Sequence, residues 1–556
     1  MARMTGSRYF AEMLKASGLT HSFHVPTVVL PALREMDDIG LRLISVHGEK
    51  AAAYMADGYA RAALRPGLCM AQAVGGANLA AGLKDAYMAG SPVIALTGGP
   101  YEESRFKHVY QEIRDYQMFD AVTKWHASIE AAERLPDLLR QAYRAATTGA
   151  PGPVHLEVRG HWGQAIEGEI EAEPVPEERF TRLPAFRPRP EPEAVVEVAR
   201  ALASAQRPVI VAGGGVINSG AEAELVQLAE KLSIPIATSL NAKSALPEAH
   251  PLNLGVTGLY SRRAANEIVS GADLVFFIGS RAGSLVTTNW RIPGAGARIV
   301  QLDIEPAEIG RHYASTLALL GDVKVTLASL IETCDARSNP AWIGRAEAAV
   351  KRSREEAQAN LTSSQSPIRP ERICAEIAQV LPADGAVVVD TLQASIWAGT
   401  MIGLKGPGQR FIRCAGSLGW GLPATIGVKC ALGDRAVIGF TGDGGVYYHL
   451  AELETAARYG INMVMVVNNN GAYAGERVLW DQPYGGEQTA EGLRSWNFGS
   501  INFAQIAQEM GCLAIRVDRP EALADALQRG LASDRPVLID VVSDPAALHP
   551  KGWTPS

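Results

Sequence analysis

Two stretches decide the fold: Arg435-Ala-Val-Ile-Gly-Phe-Thr441 running into Gly442-Asp443-Gly444-Gly445, and Ile461-Asn-Met-Val-Met-Val-Val467 running into Asn468-Asn469-Asn470. Both apolar runs read as buried strands. Between them, Leu450, Leu453, Ala456 and Ala457 share one face of a helix predicted over His449 to Tyr459. Strand, helix and strand make a parallel crossover unit, with glycines at the end of the first strand and amides at the end of the second. Gly444 and Gly445 let backbone approach a ligand closely, and the following helix turns its N–H groups toward an anion. Asp443 has no basic neighbour in sequence, and Asn470 faces it across the crevice. A carboxylate, an amide oxygen and a backbone carbonyl are hard ligands that suit Mg²⁺ bridging to phosphate oxygens. Read alone, Gly-Asp-Gly equally suits a left-handed glycine turn with an aspartate helix cap.

Working outward, 556 residues exceed what one core usually holds, so several domains are expected. A hydrophobic fraction of 47% and a charged fraction of 20% are those of a globular protein. The net charge of −7, with no block of like charge, argues against a nucleic-acid partner. No apolar run reaches membrane-spanning length, and Met1-Ala-Arg-Met opens without a signal-peptide core. Six cysteines without a Cys-x-x-Cys pair read as thiols of a reducing compartment, and a cytoplasmic location is expected.

Residues 1–170 alternate helix and strand, with Leu41 to Val46, Gly67 to Val74 and Pro92 to Leu96 as strands and Glu49 to Ala62 as a helix. Gly75-Gly-Ala-Asn78 is read as a turn before a helix over Leu79 to Met88. A Pro- and Glu-rich stretch from Glu167 to Pro192 is read as a linker. Residues 193–335 form a second unit, in which Pro208 to Ala212 leads into Gly213-Gly-Gly-Val216. That pattern is Rossmann-like, yet it lacks G-x-G-x-x-G spacing, and a tight strand–helix turn accounts for it as well. A polar helical connector precedes the third unit, residues 367–556, whose first strand ends at Asp390-Thr391-Leu-Gln393. The expected class is α/β, with three doubly wound parallel-sheet domains.

With Gly-Asp-Gly at 442–444 and Asn-Asn at 469–470, the chain resembles the thiamine diphosphate enzymes, specifically their acetolactate synthase-like branch. The branch includes benzaldehyde lyase, pyruvate oxidase, oxalyl-CoA decarboxylase and 2-hydroxyacyl-CoA lyase. The resemblance runs nearly end to end and implies a pyrimidine-binding domain, a central Rossmann-like domain and a diphosphate-binding domain. It implies a carboligase or lyase acting on a 2-keto acid or 2-hydroxy carbonyl compound through a carbanion at C2 of the cofactor. Glu49, in His47-Gly-Glu-Lys-Ala-Ala-Ala-Tyr-Met-Ala-Asp-Gly-Tyr-Ala-Arg61, would bond the aminopyrimidine, although Gly48 stands where the family usually has His. Asn78 would lie near the cofactor. Gly416, in Gly416-Ser-Leu-Gly-Trp-Gly-Leu-Pro423, would offer its carbonyl to the aminopyrimidine, and Leu418 would wedge the cofactor into a V. Thr391, Gln393, Gly442, Gly444 and Gly445 would face the diphosphate, while Asp443, Asn470 and the Ala472 carbonyl would hold Mg²⁺. The family completes each site across a dimer interface, so a homodimer, or more often a homotetramer, is implied.

Substrate is less legible. Gln111-Glu112 resembles a Gln-Glu pair near the substrate of acetolactate synthases, and solvated polarity explains it equally. His24 in Phe23-His-Val-Pro-Thr-Val28 lies in a segment that lines the substrate side in relatives. Tyr473 resembles a residue of the acyl-CoA branch, and Gly475-Glu-Arg-Val-Leu-Trp480 departs from the run of acetolactate synthases. For a CoA phosphate only Arg262, Arg263 and Lys551 offer charge. The central unit would hold FAD, ADP or nothing, so a 2-hydroxyacyl-CoA lyase and a flavin-dependent oxidase stay open.

Overall fold

The computed structural model describes residues 2–112, 116–314, 316–483, 485–550 and 553–554. Lys551, one of the charges offered above for a CoA phosphate, lies outside the described residues. Three six-stranded parallel sheets carry the chain, each covered by helices.

In the first sheet the strands run, edge to edge, Arg42–Ser45, His21–His24, Gly67–Ala71, Val93–Gly99, Val154–Arg159 and Trp125–Ile129. The third sheet repeats that order with Arg410–Arg413, Ala386–Val389, Val437–Gly442, Val464–Asn469, Val537–Val542 and Leu513–Val517. The central sheet instead follows Rossmann order, with Pro208–Ala212 and Leu274–Ile278 side by side at its middle. In the central and third sheets the strands beside the reversal of order have their carboxyl ends at an open crevice, the place where such folds bind ligands.

The first and third units meet along the Glu49–Ala63 and Gly421–Leu432 helices. Glycine makes their approach possible. A Cβ at Gly58 would lie 2.4 Å from the Ala424 carbonyl oxygen, and one at Gly427 only 1.9 Å from that of Met55. The Glu49–Ala63 helix is accordingly buried along almost all of its length.

Several sequence expectations need adjustment. The helix drawn over His449 to Tyr459 is shorter, Glu452–Arg458, and is preceded by a separate helical turn at Asp443–Val446 and a 3₁₀ turn at Tyr447–His449. The second strand starts at Val464 and takes in Asn468 and Asn469, so only Asn470 is left beyond its end. The supposed linker is structured: Glu169–Ala172 pairs antiparallel with Ala2–Thr5, and Phe180, Leu183 and Ala185 are buried. The polar connector is the Pro340–Leu361 helix, whose Trp342, Ala346 and Ala349 close the central core. Trp342 donates its Nε1–H to the Pro208 carbonyl at 2.9 Å, which fixes the helix to the central strand. Gly214–Ser219 is a short helix where a bare turn was read. All six cysteines are free, and no described helix is long and apolar enough to cross a membrane.

Candidate active site

The carboxyl ends of Ala386–Val389, Val437–Gly442 and Val464–Asn469 open into one crevice lined by Thr391, Gln393, Leu418, Asp443, Asn470 and Tyr473. Asp443 and Asn470 converge there on a single donor. The Ala472 N–H donates to Asp443 Oδ2 at 3.0 Å and to Asn470 Oδ1 at 3.1 Å. Asp443 Oδ1 accepts the Gly444 N–H at 2.8 Å. Burial pushes the Asp443 carboxyl up to about 6, against the opposing pull of backbone N–H groups at Gly444 and Ala472. Among the described residues Asp443 makes no ion pair, and the partners of its carboxylate are backbone N–H groups. A divalent ion fits that deficit. Among the described residues no cluster of three His, Cys, Asp or Glu side chains could hold a metal, so waters and phosphate oxygens would complete the sphere.

The glycines of the motif are dictated by their neighbours. A Cβ at Gly444 would sit 2.2 Å from Tyr473 Cε1, and one at Gly445 would sit 2.5 Å from Thr441 Oγ1. Tyr473 thus lies over the glycine turn, its ring edge-on to Phe498 at 4.4 Å. Between Thr391 and Gln393, Leu392 is held at φ 53°, a strained backbone for a leucine and an exposed one. That turn directs its two neighbours into the crevice, and Gln393 reaches Gly475 on the far side.

Asp390 was named in the sequence only as a strand end, and it organises this region. Its buried carboxylate accepts the Thr391 N–H at 2.7 Å, the Gly419 N–H at 3.1 Å and the Thr441 hydroxyl at 3.0 Å. Burial raises it to about 6. One carboxylate therefore binds the proposed diphosphate strand, the Leu418 loop and the Gly-Asp-Gly strand to one another. A buried aspartate at a strand's carboxyl end was the available signal.

Glu49 lies elsewhere. It opens its helix half-buried, with Oε1 against Gly75, where a Cβ would lie 2.5 Å away. Asn78 donates from Nδ2 to Glu49 Oε2 at 3.1 Å. Asn78 stands inside the Gly76–Ala89 helix and caps nothing, which corrects the turn expected at Gly75 to Asn78. Among the described residues, none that line the crevice comes from the first unit. Gln111 is also apart from it, in a loop where Phe106, His108 and Gln111 all have positive φ. Its partner in the motif, Glu112, accepts the Phe106 N–H at 2.6 Å and the Val109 N–H at 3.2 Å, so it ties that loop together. His24 is buried, and burial lowers it to about 4. His47 pairs with Glu454 at 2.7 Å on the surface. Tyr447 packs on Phe503 and His449 on Tyr54. Arg262 is taken up by Glu248 and by the Thr400 carbonyl, which leaves little of the expected basic cluster for a CoA phosphate.

Comparison with known proteins gives this geometry a lineage. The chain matches the central domain of thiamine pyrophosphate enzymes over residues 195–330, their C-terminal TPP binding domain over 390–541 and their N-terminal TPP binding domain over 4–118. It is 34% identical to a probable acetolactate synthase large subunit of Methanocaldococcus jannaschii, over 98% of this chain and 93% of that one. The chain belongs to the thiamine pyrophosphate enzymes. It is also 29% identical to the acetolactate synthase isozyme 1 large subunit of Escherichia coli, covering 98% of this chain and 94% of that protein. A glyoxylate carboligase of Escherichia coli O157:H7 is 29% identical over 98% and 93%. This thiamine pyrophosphate enzyme is acetolactate synthase-like, and it uses its cofactor to form carbon–carbon bonds.

A cavity of about 240 Å³ lies between the central domain of this thiamine pyrophosphate enzyme and its first unit, which contributes Met88, Gly90 and Pro151 to the lining. Gly213, Gly214, Asn218, Ser280, Arg281 and Asp303 line it, from three successive strand ends. The glycines are needed for contact between strands: a Cβ at Gly213 would lie 2.2 Å from the Gly279 carbonyl oxygen.

Proposed function

We propose that this enzyme joins a 2-keto acid, with loss of carbon dioxide, to a second carbonyl compound, using thiamine diphosphate held through Mg²⁺. The observation that supports it best is the convergence of Asp443 and Asn470 at the head of the glycine turn, with Asp443 in no ion pair among the described residues. When bound, thiamine diphosphate supplies the nucleophilic carbon and the electron sink. In this reading Asp443, Asn470 and the Ala472 carbonyl hold the metal, while Thr391, Gln393, Gly442, Gly444 and Gly445 give the diphosphate its seat. Gly416 would offer its carbonyl to the aminopyrimidine, and Leu418 would support the cofactor's rings. Glu49 would share a proton with the aminopyrimidine, its carboxylate oriented by the Asn78 Nδ2–H. Tyr473 faces the substrate from this chain's crevice, whereas Gln111, apart from that crevice, would face it only from a second copy.

Residues 1–170, 193–335 and 367–556 are the pyrimidine, central and diphosphate domains of this reading. Glu49 stands outside the crevice of its own chain, which favours a homodimer, or a homotetramer, in which a second copy brings it there. The central cavity favours an adenine-containing ligand, FAD or ADP, since Asp303 at a strand end suits a ribose hydroxyl. The reaction is placed in the cytoplasm.

The purified protein should be given thiamine diphosphate and Mg²⁺ with pyruvate alone, pyruvate plus an aldehyde, glyoxylate, or a 2-hydroxyacyl-CoA, and the products read by mass. Acetolactate from pyruvate is expected. Thioester cleavage with silence on the keto acids would overturn the reading, as would oxygen uptake matching pyruvate consumed.

A further inference from the structure

The loop that carries Gly416 and Leu418 is fastened at both ends by carboxylates, and one of them comes from another domain. On the near side, Asp85 accepts three consecutive backbone N–H groups: Ala415 at 2.7 Å, Gly416 at 3.1 Å and Ser417 at 3.0 Å. On the far side, Asp390 accepts the Gly419 N–H. Leu418 is the residue left between the two anchors. Asp85 has no exposed side-chain surface and lies in the Gly76–Ala89 helix, two turns beyond Asn78. Its charge is matched by Arg61, which donates to Asp85 Oδ1 at 3.1 Å and to Asp57 Oδ2 at 2.7 Å. Arg61 also reaches the Arg413 carbonyl at 2.5 Å, just ahead of the loop, and lies over the Trp420 ring just behind it.

Three successive N–H groups on one buried anion fix a backbone more firmly than side-chain packing could. Gly416 itself is exposed, so hydrophobic contact does not hold it. We propose that Asp85 is a positioning residue for the cofactor: it sets the Gly416–Leu418 backbone so that the Gly416 carbonyl and the Leu418 side chain are in place before thiamine diphosphate arrives. Asp85 touches no reacting atom. Its helix also presents Asn78 to Glu49, so one helix sets backbone geometry in the diphosphate domain and side-chain geometry in the pyrimidine domain. The proposal rests on the reading of Gly416 and Leu418 as cofactor contacts.

The first measurement is amide hydrogen exchange on the cofactor-free, full-length protein. Ala415, Gly416 and Ser417 should exchange slowly in spite of the exposure of Gly416; exchange at loop rates in the parent protein would overturn the proposal without any variant. In Asp85→Asn the segment 415–417 should lose protection at least tenfold. In Asp57→Asn, which neutralises the other carboxylate paired with Arg61, keeps an acceptor for Trp420 and leaves the three N–H groups on Asp85, it should not; equal loosening in both variants would overturn the proposal. The second measurement is calorimetric affinity for thiamine diphosphate with Mg²⁺, together with proton–deuterium exchange at C2 of the bound cofactor. Misplacement of a contact by about 1 Å can cost on the order of 100-fold, so Asp85→Asn should weaken binding or slow C2 exchange by about 10- to 100-fold. A loosened loop with both quantities unchanged would sink the positioning role, whereas the function proposed above would still stand or fall by its own product assay.

Discussion

Gly444→Ala probes the head of the crevice with one methyl group. The added Cβ would lie 2.2 Å from Tyr473 Cε1 and 2.5 Å from Cδ1, distances that only a shift can relieve. The glycine stands in a helical turn at ordinary φ, so the backbone itself would accept alanine and even gain about 1 kcal/mol of helix propensity. The cost is therefore steric and lies with one ring. The Tyr473 ring is edge-on to Phe498, so it cannot retreat that way without losing an aromatic contact; the free direction is the crevice. Overpacking of this kind costs about 1–3 kcal/mol. A ligand entering the crevice must push the ring back and meet that strain, so thiamine diphosphate affinity should fall roughly 5- to 140-fold at about 1.4 kcal/mol per tenfold. Calorimetry on four proteins closes the cycle: parent, Gly444→Ala, Tyr473→Ala and the double variant. In the Tyr473→Ala background the methyl should cost nothing or help slightly. An equal loss from Gly444→Ala in both backgrounds would refute the reasoning, because something other than the ring would then be resisting the methyl.

Glu49→Gln should retain thiamine diphosphate binding and lose turnover, as measured by calorimetry beside the product assay; full activity in that variant would remove Glu49 from the mechanism. Gly427→Ala should destabilise by about 3 kcal/mol or more, since its Cβ would meet a rigid Met55 carbonyl oxygen at 1.9 Å. Gly442→Ala, with open space around it, should stay within about 0.5 kcal/mol, and thermal midpoints of the two proteins test the contrast. His24, lowered by burial from 6.5 to about 4, contributes stability that is present above pH 6.5 and lost as pH falls toward 4. The shift corresponds to about 3 kcal/mol at full development. His24→Asn should therefore show a shallower acid loss of stability than the parent in denaturant titrations across that window.

The sequence made the strands legible wherever they were apolar and ended in glycine, as at Pro208–Ala212, which matches its expected span residue for residue. It was less legible at Asp443 to Val446, because glycine suggests a turn while the backbone there closes a helical one. The stretch from Glu167 to Pro192 misled for a similar reason: prolines mark breaks in helices, yet Glu169–Ala172 needed only an edge strand to pair with. Asp443 and Asn470 could be set together because both lie at strand ends of one crossover unit. Asp85 could not, since the three N–H groups it accepts belong to a loop distant in sequence, and no side-chain pattern announces such bonds. Gln111 and Glu112 look alike on paper; the fold separates them, turning Glu112 inward to its own loop.

The shared strand order of the first and third sheets has a geometric corollary. The Glu49–Ala63 and Gly421–Leu432 helices each follow the second strand of their sheet in chain order, so they are equivalent elements. They pack on each other through glycines, Gly58 against Ala424 and Gly427 against Met55. Equivalent helices of two halves thus share one seam, across which Trp420 donates its Nε1–H to Asp57 and lies under Arg61. A substitution on that seam cannot be assigned to one half of the chemistry: it tilts the helix that begins with Glu49 and, through the same contact, the backbone that carries Gly416.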